Sequence, residues 1–277
     1  MNRKIIFILT FVLVAFLMMS CVSAEGLLDF LNSDDSTGVN NNTTFVVGFN
    51  ANFPPFGYED GNQEFTGFDL DLAKEVCNRN NWTFVAQPII DWNTKQLELD
   101  SGEIDCIWSG FTINGRENDY TWSEPYFNNT KIIIVKKDSN ISSVSDLKGK
   151  TVEVQFESSF LNTVKNNETL QDSIGKITEV HGYDTALMDL QSGVCDAVVC
   201  DISVGYFNIA EKSGSDFKVL DDTISSEQYG IGFEKGNTEL RNQVQKTLDE
   251  MFEDGTVDKI AQKYSDYKIP ERLIHPK

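Results

Sequence analysis

The stretch Gly67-Phe68-Asp69-Leu70-Asp71-Leu72-Ala73-Lys74-Glu75-Val76 decides the fold class of this chain. Phe68, Leu72 and Val76 recur every four residues, which predicts a helix with one buried face. An aromatic and β-branched run at 45–49 precedes it and is typical of a buried strand. A strand that leads into an amphipathic helix is the repeating unit of α/β folds. The sequence therefore indicates an α/β architecture.

The alternation of strand and helix patterns continues toward the C-terminus. It runs through twice, once before and once after about residue 132. In the second run, strands are expected at 151–154 and 197–199, and helices at 186–192 and 204–212. This spacing predicts mostly parallel sheets. Two lobes fit the length of the chain better than one.

The N-terminus has the pattern of a secretory signal peptide at residues 1–24. A basic start is followed by an apolar run from Ile5 to Met19, which is shorter than the ~20 residues of a membrane span. Cleavage before Cys21 with lipidation, simple cleavage after Ala24, and an uncleaved anchor all stay open. Each option places the rest of the chain outside the cytoplasm. Residues 25–44 are expected to be a flexible spacer.

Charge and composition exclude several classes of protein. The formal net charge of −20 argues against a nucleic-acid partner, which requires a basic face. With two histidines in the chain, a histidine-rich metal site is excluded, and no cofactor is expected. Cys195 and Cys200 lie on one predicted strand, too far apart for a disulfide. Buried free thiols are expected, and a Cys77–Cys106 bridge stays open.

Three segments carry residues suited to bind a small charged ligand. Gly110–Arg116 follows a strand and offers Thr112 and Arg116, a hydroxyl and a guanidinium that suit a carboxylate. Ser158 and Ser159 open a helix, where free N–H groups favour an anion. Asp201 ends an apolar strand and could receive an ammonium group. Each segment alone has an ordinary structural explanation, but together they describe an α-amino acid.

The motifs of this chain resemble, in order, those of the family 3 extracellular solute-binding proteins, the amino-acid receptors of ABC importers. The resemblance extends from about Thr44 to Tyr267. It rests first on the stretch at 67–76. It also rests on these motifs: Pro54-Pro55-Phe56, Trp122-Ser123-Glu124-Pro125-Tyr126, Asp146-Leu147-Lys148-Gly149-Lys150, Tyr229-Gly230-Ile231-Gly232, Lys235-Gly236-Asn237 and Asp254-Gly255-Thr256.

The resemblance implies a two-lobed, periplasmic-binding-protein-like (type II) fold with the ligand cleft between the lobes. Residues 45–130 with 231–277 would form lobe 1, and 131–230 lobe 2, joined by two crossing strands. The implied function is to bind a free α-amino acid outside the cytoplasm, in secreted, periplasmic or lipid-anchored form, and to deliver it to an ABC permease. Contact with the membrane itself would come only through an N-terminal anchor.

The resemblance also implies the roles of individual residues. Thr112 and Arg116 would hold the ligand carboxylate with Ser158 or Ser159, and Asp201 the α-ammonium. Phe53 would stack on the ligand side chain. The remaining residues expected to line the pocket are Trp92, Trp108 and Gly110.

The chain departs from the family pattern at two places. The segment from Gly110 to Arg116 is one residue shorter than usual, so Arg116 is assigned by its chemistry. Glu157 stands where the family usually has glycine. Its carboxylate is expected to point to solvent, with the alternative that it faces the pocket and attracts a basic side chain.

Two other classes of function stay open. An enzyme similar to cyclohexadienyl (arogenate or prephenate) dehydratases would need a cleft acid as proton donor, for which Glu157 is the candidate. A receptor sensor domain would normally be followed by a membrane span, and none follows in this sequence. The primary prediction is a binding protein without enzymatic activity.

Overall fold

The computed structural model describes residues 43–211 and 216–276. The predicted signal peptide, Cys21 and nearly all of the predicted spacer at 25–44 lie outside the described residues. Among those described, no helix is long and apolar enough to cross a membrane.

The described strands are short except for two, of 10 and 13 residues. In chain order they are β1 (Thr44–Phe49), β2 (Asn52–Phe53), β3 (Gly57–Glu59), β4 (Phe65–Thr66), β5 (Thr83–Pro88), β6 (Cys106–Ile107), β7 (Thr121–Trp122), β8 (Phe127–Lys136), β9 (Thr151–Gln155), β10 (Lys176–Val180), β11 (Ala197–Asp201), β12 (Phe217–Tyr229) and β13 (Gly232–Phe233).

The described helices alternate with these strands. The α-helices are α1 (Phe68–Asn80), α2 (Lys95–Asp100), α3 (Ser159–Lys165), α4 (Glu168–Ser173), α5 (Tyr183–Ser192), α6 (Ile202–Glu211), α7 (Thr238–Glu253) and α8 (Thr256–Gln262). Short 3₁₀ turns lie at Trp92–Thr94, Val144–Leu147, Ser265–Tyr267 and Pro270–Arg272.

The two large sheets define two lobes. The first, in lobe 1, has the strand order β5-β1-β6-β13-β7, and the second, in lobe 2, has the order β10-β9-β11-β8-β12. Lobe 1 draws its sheet from 44–122 and 232–233, and lobe 2 from 127–229. This two-lobed α/β architecture confirms the expected fold class. The exact lobe limits, 45–130 with 231–277 and 131–230, stay a prediction that agrees with this division of the strands.

The crossing strands are β8 and β12, and they help to explain why the sheets are less parallel than expected. In lobe 2, β9 pairs in parallel with β10 and β11, whereas β8 pairs antiparallel with both β11 and β12. In lobe 1, β13 pairs antiparallel with β6 and β7. In these two sheets the antiparallel pairs involve the strands by which the chain enters lobe 2 and returns to lobe 1. A small third sheet, β2-β3-β4, is antiparallel throughout.

The helix predicted from the deciding stretch is present as α1. Phe68, Leu72 and Val76 are each 0% exposed, as the four-residue spacing requires. They belong to an apolar core that also contains β1 and the buried face of α7. The helix ends at Asn80, and the following residue, Asn81, has the left-handed φ of 56° that is typical after a helix.

Several elements differ from the pattern predicted by the sequence. The helix α4 and the strand β10 carry few buried apolar residues, so their periodicity is weak. An Asn167 side chain that accepts a bond from Leu170 N begins α4 instead. The strand that precedes Gly110 is ordered as β only at β6. The full length of β12 is hidden in the sequence because its middle is polar and exposed.

The cysteines of the described chain are free and buried. Cys77, Cys106, Cys195 and Cys200 form no disulfide, so the expectation of buried thiols is confirmed and the Cys77–Cys106 bridge is not formed. Burial raises the pKa of the Cys77 and Cys195 thiols to about 12. Their role here is apolar packing.

Candidate ligand-binding site

Residues of both lobes line one cavity. Eight of the nine residues expected at the site lie in its wall: Phe53, Trp92, Gly110, Thr112, Arg116, Ser158, Ser159 and Asp201. The structure thus brings together three segments that are distant in the sequence.

Helix α1 holds the loop that carries Gly110. Asp69, in the first turn of α1, accepts bonds from Gly110 N at 2.5 Å and from the Tyr126 hydroxyl at 2.8 Å. Burial raises the pKa of the Asp69 carboxyl to about 7, although these two bonds act to lower it. Gly110 has a φ of 53°, and a Cβ added there would lie 2.6 Å from the Phe53 ring. A glycine is therefore required at this position.

Arg116 presents a guanidinium to the cavity. Its Nη1 donates to Thr112 O at 3.2 Å, and its guanidinium carbon lies 5.1 Å from the centre of the Phe111 ring. No carboxylate of the described chain lies within 4.0 Å of it. Burial lowers its pKa from the ordinary value, because a cation loses solvation there. The group is thus open to an incoming anion.

Two hydroxyls expected to bind the ligand share one carboxylate oxygen. Thr112 Oγ1 of lobe 1 and Ser159 Oγ of lobe 2 donate to Glu227 Oε2 at 3.0 and 2.9 Å. Glu227 lies on the crossing strand β12 and is 4% exposed. Ser158 accepts a bond from Phe160 N and thereby caps α3. The N-terminus of α3 therefore faces the same cavity.

Asp201 is anchored through only one of its two oxygens. Its Oδ1 accepts bonds from Lys131 Nζ at 2.8 Å, from the Tyr229 hydroxyl at 2.6 Å and from Asn129 Nδ2. Within the described residues, Oδ2 receives no hydrogen bond. Lys131 Nζ also lies 3.6 Å from Glu227 Oε2. Burial lowers the pKa of Lys131, but the two carboxylates outweigh this effect and raise it above the ordinary value.

Aromatic rings form two walls of the cavity. Phe53 stacks on Phe56, with 5.7 Å between ring centres, and lies 6.5 Å from Tyr183 of lobe 2. Trp92 contacts the edge of Phe111 at 5.9 Å. These positions agree with the expected roles of Phe53 and Trp92.

Trp108 does not line the cavity, which corrects the expectation for this residue. Its side chain is 0% exposed and packs against Tyr126, with 6.3 Å between ring centres. Side chains alternate sides along an extended segment, so Ser109, the next residue, reaches the cavity instead. Trp108 therefore supports the core beneath the site.

Glu157 lines the cavity and is also exposed to solvent. The sequence left open whether this carboxylate points to solvent or faces the pocket. It lies at the rim of the cleft, where it does both in part. Its φ of 57° lies in the left-handed region, which explains why glycine is the usual residue there. The turn is closed by a bond from Ser158 N to Gln155 O at 3.1 Å.

Lys131 and Glu227 are functional candidates that the sequence analysis missed. Lys131 directly precedes the apolar run at 132–135, and a lysine at the start of a buried strand is a signal that could have identified it. Glu227 follows Ser225 and Ser226 in a stretch that is indistinguishable from a polar surface segment. Glu227 is buried because β12 pairs with β8, a strand that is distant in the sequence.

This geometry defines a two-lobed solute-binding protein with an interlobe cleft. Residues 45–267 match the family model of bacterial extracellular solute-binding proteins, family 3. The chain belongs to this family, as the resemblance of its motifs implied.

Characterised relatives and solved structures cover most of the chain. A histidine-binding periplasmic protein of Escherichia coli strain K12 is 30% identical over 233 residues, covering 80% of this chain and 88% of its own. The arginine-binding extracellular protein ArtP of Bacillus subtilis strain 168 is 29% identical, covering 84% and 90%. These relatives are binding proteins.

Two ligand-bound structures show the same fold. An ancestral arginine-binding protein bound to glutamine has a TM-score of 0.73 and 38% identity, covering 80% of this chain and 97% of its own. A substrate-binding protein of an ABC uptake transporter from Streptococcus pneumoniae, with bound histidine, has a TM-score of 0.75 and 29% identity, covering 80% and 92%.

Proposed function

We propose that this protein binds a free α-amino acid outside the cytoplasm and delivers it to the membrane permease of an ABC-type importer. One observation carries the proposal: Arg116 has no carboxylate partner in the described chain, while Asp201 Oδ2 is open in the same cavity. An α-amino acid carries one carboxylate and one ammonium on a single carbon, and these two groups complement that pair.

The energetics of burial favour such a zwitterion over a simple anion or cation. A charge that leaves water without a partner is strongly destabilised, so each end of the ligand requires an opposite charge. The guanidinium can take the carboxylate in a bidentate manner, with help from the N–H groups at the start of α3. Asp201 and Glu227 carry one more negative charge than Lys131 balances, and the ligand ammonium supplies the missing charge.

The relatives support the same class of ligand. Their names describe proteins that bind histidine, arginine and cystine, and the solved structures hold histidine, arginine or glutamine. All are free amino acids. Membership of the family and the ABC uptake transporter named with the Streptococcus pneumoniae structure support the proposed transfer to a permease.

We further propose that the protein acts without catalysis and works at the cell exterior, secreted, periplasmic or held by a lipid on Cys21. A dehydratase would use a cleft acid such as Glu157 to protonate a leaving hydroxyl. Incubation with arogenate or prephenate is expected to give no product. Product release that Glu157→Gln removes would contradict the proposal.

A thermal-shift screen of the purified mature chain against the common amino acids tests the proposed function. A ligand present at about a hundred times its dissociation constant adds ~2.7 kcal/mol to the free energy of unfolding. At least one α-amino acid should raise the melting temperature, whereas the matching amine without a carboxylate should not. If no amino acid stabilises the protein, the proposal is wrong.

A further inference from the structure

We infer that the ligand of this cleft carries a positive charge on its side chain, and that the carboxylate of Glu157 selects it. The inference rests on the proposed function, because Arg116 and Asp201 must first hold the two α-groups. The side chain of the ligand would be cationic instead of neutral or acidic. The residue that selects it, Glu157, is one that departs from the pattern of the family.

The position of Glu157 places an unpaired carboxylate at the cleft. The residue lies in the turn between β9 and α3, lines the cavity, and forms no ion pair within the described part of the chain. Its neighbours Ser158 and Ser159 face the carboxylate end of the proposed ligand. A ligand side chain that turns toward the rim of the cleft can reach Glu157.

The backbone at Glu157 is strained for this residue type. A φ of 57° suits glycine, while a residue with a Cβ adopts it at a cost. Strained conformations of this kind cluster at sites where the side chain acts on a ligand. The turn itself does not need a carboxylate, because its closing bond joins backbone atoms of Ser158 and Gln155.

Burial lowers the pKa of both Arg116 and Lys95, and Glu157 acts to raise it, but neither cation forms an ion pair with Glu157 within the described residues. Arg116 is matched by the ligand carboxylate, and the surplus charge of the Asp201, Glu227 and Lys131 cluster by the ligand ammonium. Lys95 does not line the cavity: its Nζ donates to Trp92 O at 3.0 Å and lies 5.4 Å from the centre of the indole ring. One negative charge at the cleft therefore remains for the ligand side chain.

The walls of the cavity suit a cation as well. Phe53, Trp92 and Phe156 all contribute to the lining. A guanidinium or ammonium group is attracted to the face of such rings, most strongly to indole. An acidic side chain would gain nothing from these rings and would be repelled by Glu157.

The test compares cationic amino acids with neutral ones of similar shape by titration calorimetry. The ligands are L-arginine with L-citrulline and L-lysine with L-norleucine, together with L-histidine at a pH where imidazole is protonated. The wild type is expected to bind a cationic member at least about tenfold more tightly than its neutral counterpart, the scale of one charge-assisted bond. Glu157→Gln should remove this preference.

Two variants separate recognition from a structural role. Glu179→Gln alters an exposed glutamate on β10 of the same lobe and should keep the preference. Glu157→Gly should lose the preference and yet raise the melting temperature, because glycine relieves the strain.

Each outcome decides the inference. Tighter binding of the neutral members, or a preference for cations that survives Glu157→Gln, would overturn it and leave the proposed function standing. If no amino acid binds at all, the proposed function fails together with it.

Discussion

Lys131 Nζ lies 2.8 Å from Asp201 Oδ1, and each side chain is 3% exposed. The two residues are direct partners in the antiparallel pairing of β11 with β8, so the backbone register places them together. The Lys131 ammonium forms an ion pair with the Asp201 carboxylate before any ligand arrives. The ligand ammonium then meets a preformed anion whose orientation is already fixed.

Replacing Lys131 by methionine should destabilise the protein strongly. The change leaves Asp201 and Glu227 buried without their shared cation, and breaking a buried pair in this way costs about 3–5 kcal/mol. Urea denaturation measures the loss. The control is Lys150→Met, since Lys150 pairs with Asp196 at 3.3 Å on the surface, where such a pair contributes about 1 kcal/mol or less. Equal losses in both variants would contradict the role of Lys131.

Arg116→Ala should abolish amino-acid binding and leave the fold intact. The variant removes the partner of a buried ligand carboxylate, which costs at least about 3 kcal/mol of binding energy, a factor of more than a hundred. Calorimetry measures the affinity, and circular dichroism checks the fold. Arg241→Ala is the matched control, because Arg241 lies on α7 and does not line the cavity. Near wild-type affinity in Arg116→Ala would assign the carboxylate to another base.

Asp69 should make stability depend on pH between about 4 and 7. Its folded pKa of about 7 lies above the ordinary value of 3.8 because of burial. Across this window the unfolded chain has lost the proton and the folded chain retains it, so stability is highest at low pH and falls as pH rises. The predicted loss is about 4 kcal/mol.

The variant Asp69→Asn isolates that contribution. Asparagine has the shape of the protonated carboxyl, so it can still accept the bond from Gly110 N, and it does not titrate. The difference in unfolding free energy between wild type and variant should shrink steadily below pH 7. A difference that is constant with pH would show that the folded pKa of Asp69 is not raised.

The sequence predicts those parts of this molecule that depend on local periodicity. The helix α1 follows from the spacing of Phe68, Leu72 and Val76, and Arg116 and Asp201 follow from their places at strand ends. Glu227 could not be predicted, because its burial depends on the long-range pairing of β12 with β8.

Two further residues show where local patterns fail. Trp108 was expected in the cavity from the family resemblance, yet the alternation of side chains directs it to the core. Lys131 could not be identified from its local sequence, because the acids that pair with it are distant in the sequence. Electrostatic partners separated by many residues leave no periodic signal.

Gly110→Ala should weaken ligand binding more than its effect on stability alone implies. The new methyl group would lie 2.6 Å from Phe53 and displace the ring expected to stack on the ligand. Gly115→Ala is the control, since Gly115 also has a positive φ, 81°, but its Cβ would meet no atom within 4 Å. Both variants should lose about 1 kcal/mol of stability from backbone strain. Only Gly110→Ala should also lose affinity in calorimetry.

Ligand binding should draw the two lobes together, with β8 and β12 taking up the rotation. Thr112 of lobe 1 and Ser159 of lobe 2 meet on Glu227 of the crossing strand, so both lobes are already tied to one hinge residue. Closure without ligand would bury Arg116 against Asp201 Oδ2 with no group between them, at a cost of desolvation. The ligand supplies charge-assisted bonds to both, and the population shifts to the closed form.

Small-angle scattering with and without saturating ligand measures this closure. The radius of gyration of the wild type should fall when ligand is added. In Asp201→Asn the fall should be absent or should require a far higher concentration, because the neutral amide keeps the shape of Asp201 but no longer attracts the ammonium. Asp196→Asn is the control. It changes an acid directly before β11 that does not line the cavity, and this variant should become as compact as the wild type when ligand is added. A saturated wild type with an unchanged radius of gyration would mean that the lobes do not close on the ligand, even if calorimetry confirms binding.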